Sequence, residues 1–390
     1  MGIFDLFFDK YTKIHGTKCI LKKKEVLKLC DNGVRLDLNR TRYIIEKIDF
    51  DEDFINRFRK RYVRNNLGKF HRFISPYIPY LAAIRDERIS RSPQYKYLDM
   101  TLDEMKTIVM DFYRDIDAKY INRHDWVSYF EGLKSDPRFF VNEHEPFGDK
   151  GGNNSVSVKD SGLILTLNPA NNLSGLATIA HEYGHLLSQS SREKREDPKV
   201  DCLAEIESLF METVFVDWLE KNKKFSQNQI NQYWLYSNNG FVTDCKELIT
   251  ENEVVYRLGG EISKSKFKHI AKDIKGHKNE QELLCKMINV ADDGQKLIGP
   301  YVFRYVVGRA IAFTLFEEYK QNPQETMQKF DDYLRCRCEI SSLDEAGKIL
   351  LGENYKRKIM NCLVSHERQQ KIAEEKALYF EGVLSTKEKN

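Results

Sequence analysis

The sequence predicts a mainly α-helical fold with a small β-sheet or hairpin just before a helix near the middle of the chain. Three observations support this prediction. Apolar residues recur at helical spacing from about residue 51 to residue 133, a segment ending near residue 172 is rich in glycine, asparagine and β-branched residues, and helical spacing then returns almost to the C-terminus. With 390 residues, the chain is long enough to bury a sizeable core and does not need disulfide bonds or structural metals for stability.

The segment TLDEMKTIVMDFYRDI shows the first helical period most clearly. Thr101 and Glu104 have the spacing of a capping box, which predicts that a helix begins there. The apolar positions that would form its buried face are Met105, Ile108, Val109, Phe112, Tyr113 and Ile116. Further on, GDKGGNNSVSVKDSGLILTLNPANN predicts a hairpin or small sheet whose second strand is residues 163–167.

Composition and charge narrow the classes of partner. Lys and Arg number 62 against 59 Asp and Glu, a net charge of +3, so no global field favours nucleic acid or an anionic membrane. The basic segment RFRKRYVR, residues 57–64, is interpreted as the solvated face of a helix rather than a nucleic-acid patch. We expect no nucleic-acid partner, and the sequence leaves the oligomeric state open.

The N-terminus and the cysteines bear on location. The start MGIFDLFFDKYTKIHG lacks the features of a secretory signal, and no apolar run reaches the ~18 residues that predict a membrane span. The eight cysteines include no CxxC pair and are interpreted as reduced thiols. These features predict a cytoplasmic-type protein, with a translocated effector as the alternative.

The most informative stretch is SGLATIAHEYGHLLSQS. In a helix capped at Ser174, His181 and His185 lie one turn apart on one face and can grip one ion, while Glu182 lies beside them. This is the H-E-x-x-H pattern: two imidazoles bind Zn²⁺, and the glutamate takes a proton from a water that the metal acidifies and later passes it to the leaving amine. The alternative is an amphipathic helix whose histidines are solvated or hydrogen-bonded core groups.

A third acidic residue favours the zinc interpretation. Glu205 lies 20 residues beyond His185, after a loop long enough to turn the chain back, and a catalytic zinc needs three protein ligands. Glu205, Ser208 and Glu212 form one polar stripe on an otherwise apolar helix. Ser208 and Glu212 are therefore predicted to contact the metal ligands without binding the metal themselves.

These motifs, with YVFRYVVGRAIAF and EEYKQNPQETMQKFDDYL further on, resemble the thimet oligopeptidase and oligoendopeptidase F family of zinc metallopeptidases, in order over roughly residues 100–355. The resemblance implies a helical zincin-type catalytic lobe, one zinc ion on His181, His185 and Glu205, and Glu182 as base. This chain would be a shortened member, with 180 residues before His181 and no histidine in DDGQKLIGPYVFRY, where the family has one. We expect a shortened N-terminal helical region at 1–133, a catalytic region at 134–380 and a disordered tail at 381–390.

The resemblance also assigns a role to the tyrosine-rich helix start. In the family, tyrosines near the C-terminal helices stabilise the oxyanion, and Tyr305 and Tyr301 lie four residues apart here. Tyr305 is the first candidate for this role and Tyr301 is the second. Phe303, between them, has no hydroxyl and cannot donate a hydrogen bond. The alternative is that both are packing aromatics with a satisfied hydroxyl.

Three functions follow from this sequence. The first is a zinc endopeptidase that hydrolyses peptides, the second is a protease specific for one protein, and the third is a pseudoenzyme that keeps zinc and binds peptides. For the peptidases, strand 163–167 could offer an unpaired edge to an extended substrate, and an internal strand is the equally weighted alternative.

Overall fold

The computed structural model describes residues 13–14, 17–18, 34–37, 42–45, 75–85, 97–121, 125–146, 154–159, 162–188, 198–258, 264–273, 288–290, 296–298 and 301–365. The basic segment 57–64 and the tail 381–390 lie outside these residues.

The chain forms two compact units, Met1–Ser75 with Glu247–Val302 and Pro76–Lys246 with Phe303–Asn390. Each unit combines two separate stretches, and the expected boundary near residue 133 falls inside the second unit.

The described strands and helices are numbered in chain order. The strands are β1 Lys13–Ile14, β2 Thr17–Lys18, β3 Val34–Asp37, β4 Arg42–Ile45, β5 Phe139–Glu143, β6 Ser155–Lys159, β7 Gly162–Leu167, β8 Ile288–Val290 and β9 Lys296–Ile298. The helices are α1 Ile78–Arg85, α2 Leu102–Tyr120, α3 Asp125–Lys134, α4 Leu173–Ser188, α5 Pro198–Lys221, α6 Gln227–Leu258, α7 Lys264–Asp273, α8 Tyr301–Gln321, α9 Pro323–Cys336 and α10 Leu343–Leu351. Residues 355–365 are also helical.

The protein is mainly helical with a small three-stranded sheet, as the sequence predicts. The sheet has the order β5–β7–β6, in which β7 is parallel to β5 and antiparallel to β6. In the first unit, β1–β2, β3–β4 and β8–β9 form separate antiparallel pairs. Among the described residues, no helix has the length and hydropathy that a membrane crossing requires.

Strand β7 is internal, so the idea that it offers an unpaired edge is wrong. Residues 163–167 pair with β5 on one side, and residues 162–166 pair with β6 on the other. The sequence pattern could not show this, because alternation along a strand reports its two faces and not its two edges.

Helix α2 contributes many buried side chains to the core that it shares with neighbouring helices. Its predicted capping box is present: the Thr101 hydroxyl accepts from the Glu104 amide at 3.3 Å, and the Glu104 carboxylate accepts from the Thr101 amide at 2.8 Å. The predicted face is buried except for Ile108, which is half-buried. From this face the Tyr113 hydroxyl donates to the Ala180 carbonyl at 2.9 Å, which ties the core to helix α4.

Helix α4 begins two residues earlier than a cap at Ser174 would place it. Its cap is Asn172, whose side-chain oxygen accepts from the Gly175 amide at 3.0 Å. Ser174 lies in the first helical turn instead, where its carbonyl accepts from the Thr178 hydroxyl at 2.8 Å. Asparagine and serine cap helices about equally well, so a sequence that offers both two residues apart does not say which one is used.

Candidate metal centre

Helices α4 and α5 bring together three side chains that could bind a metal ion. His181 and His185 come from α4 and Glu205 from α5, and one ligand atom from each lies within 4.8 Å of the others. They are 9%, 7% and 4% exposed. Within the described ranges, this is the one group of three or more His, Cys, Asp or Glu side chains with such geometry. A buried group of this kind needs hydrogen bonds, ion pairs or a metal to offset the loss of water.

The distances within this group suit a zinc ion. Nε2 of His181 lies 3.6 Å from Oε2 of Glu205, and Nε2 of His185 lies 3.8 Å from the same oxygen. Zinc holds such ligands at about 2.0–2.2 Å in a tetrahedron, which separates neighbouring ligand atoms by about 3.4 Å. The observed separations are therefore close to those of a loaded site, and the donor set of two imidazoles and one carboxylate fits catalytic zinc.

Glu212 orients the first histidine. Nδ1 of His181 donates to Oε2 of Glu212 at 2.9 Å, and this leaves Nε2 turned toward His185 and Glu205. The second oxygen of Glu212 accepts from the Tyr233 hydroxyl at 2.7 Å. A carboxylate that accepts from one ring nitrogen of a histidine sets its tautomer and ring orientation, and Glu212 occupies this position beside His181.

The carboxylates around His181 favour its protonated, positively charged form. Burial lowers the pKa of His181, but the hydrogen bond and charge of Glu212, with the charges of Glu182 and Glu205, outweigh it and raise this pKa to about 9. Burial likewise opposes ionisation of Glu212, yet its hydrogen bond to His181 holds its pKa below the ordinary value. Burial, and then the charge of Glu212, raise the pKa of Tyr233 well above its usual range, so Tyr233 remains a donor.

Glu182 and Ser208 lie beside these ligands. Glu182 follows His181 directly, is 4% exposed, and its charge acts on the His181 ring. The Ser208 hydroxyl lies 3.3 Å from the backbone carbonyl of Glu205 and 3.5 Å from its Oε2. Ser208 thus lies near the Glu205 oxygen that faces the two histidines.

Two curated proteins of Lactococcus lactis align with this chain. They are the plasmid oligoendopeptidase F of subspecies cremoris and an oligoendopeptidase F homolog of subspecies lactis strain IL1403. Each is 25% identical over 230 residues, which cover 54% of this chain and 37% of the relative. This chain is similar to oligoendopeptidase F. It spans little more than a third of the length of these relatives.

Other comparisons are less specific. One solved structure similar to this chain is that of an oligoendopeptidase F-type protein from Bacillus anthracis strain Ames. Its sequence is 13% identical to this chain, and the superposition has a TM-score of 0.47 and covers 84% of this chain and 58% of the other. No protein-family model matches the sequence. The curated relatives confirm the resemblance to oligoendopeptidase F that the sequence motifs indicate.

Helix α8 carries the tyrosines that the resemblance to oligoendopeptidase F implicates. Tyr305 is half-buried, and its hydroxyl accepts from Nη2 of Arg304 at 3.3 Å. Phe303 is 3% exposed and belongs to the core. Tyr301 is the first residue of α8, and its side chain lies outside what the structure describes. The position of the Tyr301 side chain relative to His181, His185 and Glu205 is therefore left undescribed.

Sequence reasoning missed two partners of this site. Arg304 lies with its Nε 3.5 Å from Oε1 of Glu205, and Tyr233 donates to Glu212. The signal for Arg304 was present, because a positive charge within the apolar run YVFRYVVG must find a partner when the helix is buried. The sequence gives no such signal for Tyr233. It is one of many tyrosines in the helices of this chain, and nothing in helix α6 distinguishes it from the others.

Two glycines let the three helices approach at the ligands. A Cβ added at Gly184 of α4 would lie 2.9 Å from the Cα of Ser208, and one added at Gly308 of α8 would lie 2.8 Å from the Cβ of Glu205. Contacts below 3.0 Å force the backbone to move. Gly308 therefore determines how closely α8 approaches Glu205.

Gly308→Ala is expected to push α8 and Glu205 apart. We expect zinc affinity to fall about 10-fold or more because the ligand moves, and stability to fall by about 1–3 kcal/mol because the contact is overpacked. Zinc titration against a chelator and urea unfolding would measure the two effects. Gly132→Ala is the matched control, because a Cβ there meets nothing within 4 Å in helix α3. Unchanged zinc affinity in Gly308→Ala would contradict this account of Gly308.

Proposed function

We propose that this chain is a zinc-dependent peptidase in which His181, His185 and Glu205 hold one Zn²⁺ and Glu182 is the general base. The observation that carries the proposal is the buried group of these three ligands, with distances that suit zinc and with Glu212 behind His181. The names of the Lactococcus relatives support peptide hydrolysis. Peptides or proteins are the proposed substrates.

The roles of the residues follow from their chemistry. When bound, zinc supplies Lewis acidity, which acidifies a water molecule and polarises a carbonyl group. Glu182 takes the proton of the attacking water and delivers it to the leaving nitrogen, so one carboxylate is base and then acid. Glu212 keeps the Nδ1 proton on His181, so that Nε2 is the nitrogen available to the metal.

Tyr305 is proposed to stabilise the negative charge that develops on the substrate oxygen. Arg304 donates to its hydroxyl, so the hydroxyl hydrogen is available for another acceptor. A hydroxyl beside a developing oxyanion is worth about 2.7–4 kcal/mol in other acyl-transfer sites. Tyr301 remains the second candidate on sequence grounds.

Tyr305→Phe should lower kcat by about 10²–10³-fold and change KM little, because the contact would form mainly in the transition state. Zinc content and the far-ultraviolet spectrum should stay as in the wild type. Tyr319→Phe, on the same helix and in ring contact with Tyr120, is the control and should retain wild-type kcat. Wild-type kcat in Tyr305→Phe would remove Tyr305 from this role, and the same test applies to Tyr301→Phe.

Turnover of an unstructured peptide library tests the proposed function. The wild type should cleave the library, lose activity when a chelator removes the metal, and recover it when zinc is restored. Cleavage of one folded protein without library cleavage would favour the dedicated protease. Stoichiometric zinc without any cleavage would favour the pseudoenzyme, the alternative suggested by the absence of histidine from DDGQKLIGPYVFRY.

A further inference from the structure

Arg304 touches both the carboxylate ligand and the candidate oxyanion donor. Its Nε lies 3.5 Å from Oε1 of Glu205, and its Nη2 donates to the Tyr305 hydroxyl at 3.3 Å. Its guanidinium carbon also lies 4.9 Å from the centre of the Tyr305 ring. The Arg304 side chain is 23% exposed, and that of Glu205 is 5% exposed. One planar cation therefore connects two groups of the proposed site.

We propose that Arg304 is a positioning residue that holds Glu205 so that one carboxylate oxygen faces the two histidines. This inference rests on the proposed zinc function. The two oxygens of Glu205 have separate partners: Oε2 lies 3.6 and 3.8 Å from the histidine Nε2 atoms, while Oε1 lies against Arg304. With Oε1 engaged, Glu205 offers zinc a single oxygen, and a coordination position stays open for water.

The charge of Arg304 also matters in the metal-free protein. A carboxylate buried to this degree is costly unless a cation or hydrogen-bond donors compensate for lost water. Arg304 supplies a permanent positive charge beside Oε1 of Glu205, the oxygen that is not the one near the histidines. It can therefore hold Glu205 in its ligand position before the ion arrives, which reduces the reorganisation that metal binding requires.

The contact with Tyr305 makes the geometry of arginine necessary. The guanidinium is flat and has several donors at fixed angles, so it can face Glu205 with Nε and Tyr305 with Nη2 at the same time. A lysine ammonium keeps the charge but has neither the stacking plane nor the forked donors. Arg304→Lys should thus keep the electrostatic part of the effect and lose the part that depends on orientation.

Zinc affinity is the readout that separates this role from a catalytic one. Zinc dissociation constants would be measured by competition with a chromogenic chelator for the wild type, Arg304→Ala and Arg304→Lys. We expect Arg304→Ala to weaken zinc binding by about 10–100-fold, as for other residues that orient a metal ligand, and Arg304→Lys to fall between it and the wild type. The visible spectrum of the Co²⁺ form should also change in Arg304→Ala, because Glu205 could then bind through both oxygens.

A double-mutant cycle with Glu205→Ala tests whether Arg304 acts through Glu205. In the Glu205→Ala background zinc is bound too weakly to survive desalting, so the residual affinity is titrated directly with excess zinc. Arg304→Ala should not weaken this residual affinity further, because the group that Arg304 positions is gone. Lys320→Ala, an exposed change on the same helix, should leave zinc affinity unchanged. Should Arg304→Ala fail to fold, Arg304→Lys takes its place in the same cycle.

Three results would overturn the inference. The first is wild-type zinc affinity in Arg304→Ala and Arg304→Lys. The second is an equal loss of affinity with and without Glu205, which would indicate a general structural effect. The third is a fall in kcat with unchanged zinc affinity, which would make Arg304 a catalytic residue. Absence of zinc binding by the wild type itself would overturn the proposed function together with this inference, so the wild-type titration distinguishes the two failures.

Discussion

Replacing Glu182 by glutamine is expected to leave zinc bound and to lower kcat by about 10²–10⁴-fold, the usual contribution of general acid and base catalysis. Glutamine has nearly the same shape as glutamate, so the buried position beside His181 should accept it. Its amide does not take up a proton at neutral pH, and both proton transfers are therefore lost. Glu182 is not one of the three proposed ligands, which is why metal content should not change.

Parallel measurement of zinc content and peptide turnover checks this result. Glu131→Gln, on helix α3 with a half-exposed side chain, is the control and should retain both. Turnover within about threefold of the wild type in Glu182→Gln would show that another group is the base. Loss of zinc from Glu182→Gln would show instead that Glu182 contributes to metal binding.

His181→Ala and Glu205→Ala are each expected to abolish stoichiometric zinc binding and, with it, activity. Catalytic zinc sites use three protein ligands, and the loss of any one leaves two donors that hold the ion weakly. His181→Ala also removes a hydrogen-bond partner from the Glu212 carboxylate, which is only 15% exposed, so a loss of stability is expected beside the loss of metal. Glu205→Ala frees Arg304 from its carboxylate partner in the same way.

Metal analysis after incubation with equimolar zinc and desalting measures this effect. The wild type should retain about one zinc per chain, and each variant less than about a tenth of that. His269→Ala, an exposed histidine on helix α7, is the control and should match the wild type. Retention of a full equivalent of zinc by both His181→Ala and Glu205→Ala would reject these residues as ligands.

Spacing made it predictable that His181, His185 and Glu205 lie close together. Two histidines four residues apart in an apolar segment must share a helix face, and an acidic residue on the next helix can reach them when those helices are antiparallel neighbours. The capping box at Thr101 was equally predictable, since both of its partners are local. Interactions within about four residues are the ones that a single sequence reveals directly.

The sequence did not reveal which residues of distant segments pair with one another. Strand β7 became internal because β5, 24 residues earlier in register, pairs along it, and nothing in the alternation of GLILTL shows that partner. Arg304 meets Glu205 and Tyr233 meets Glu212 because helices α8 and α6 lie beside α5 in space. Such partners depend on helix packing, which the hydrophobic pattern constrains only loosely.

X-ray absorption spectroscopy of the zinc-loaded protein tests the central claim most directly. The account predicts nitrogen and oxygen neighbours at about 2.0–2.2 Å, with the multiple-scattering pattern of two imidazoles, and loss of that spectrum in Glu205→Ala. Sulfur neighbours at about 2.3 Å would place the ion on cysteines instead. That result, or an unchanged spectrum in Glu205→Ala, would contradict a zinc site built from His181, His185 and Glu205.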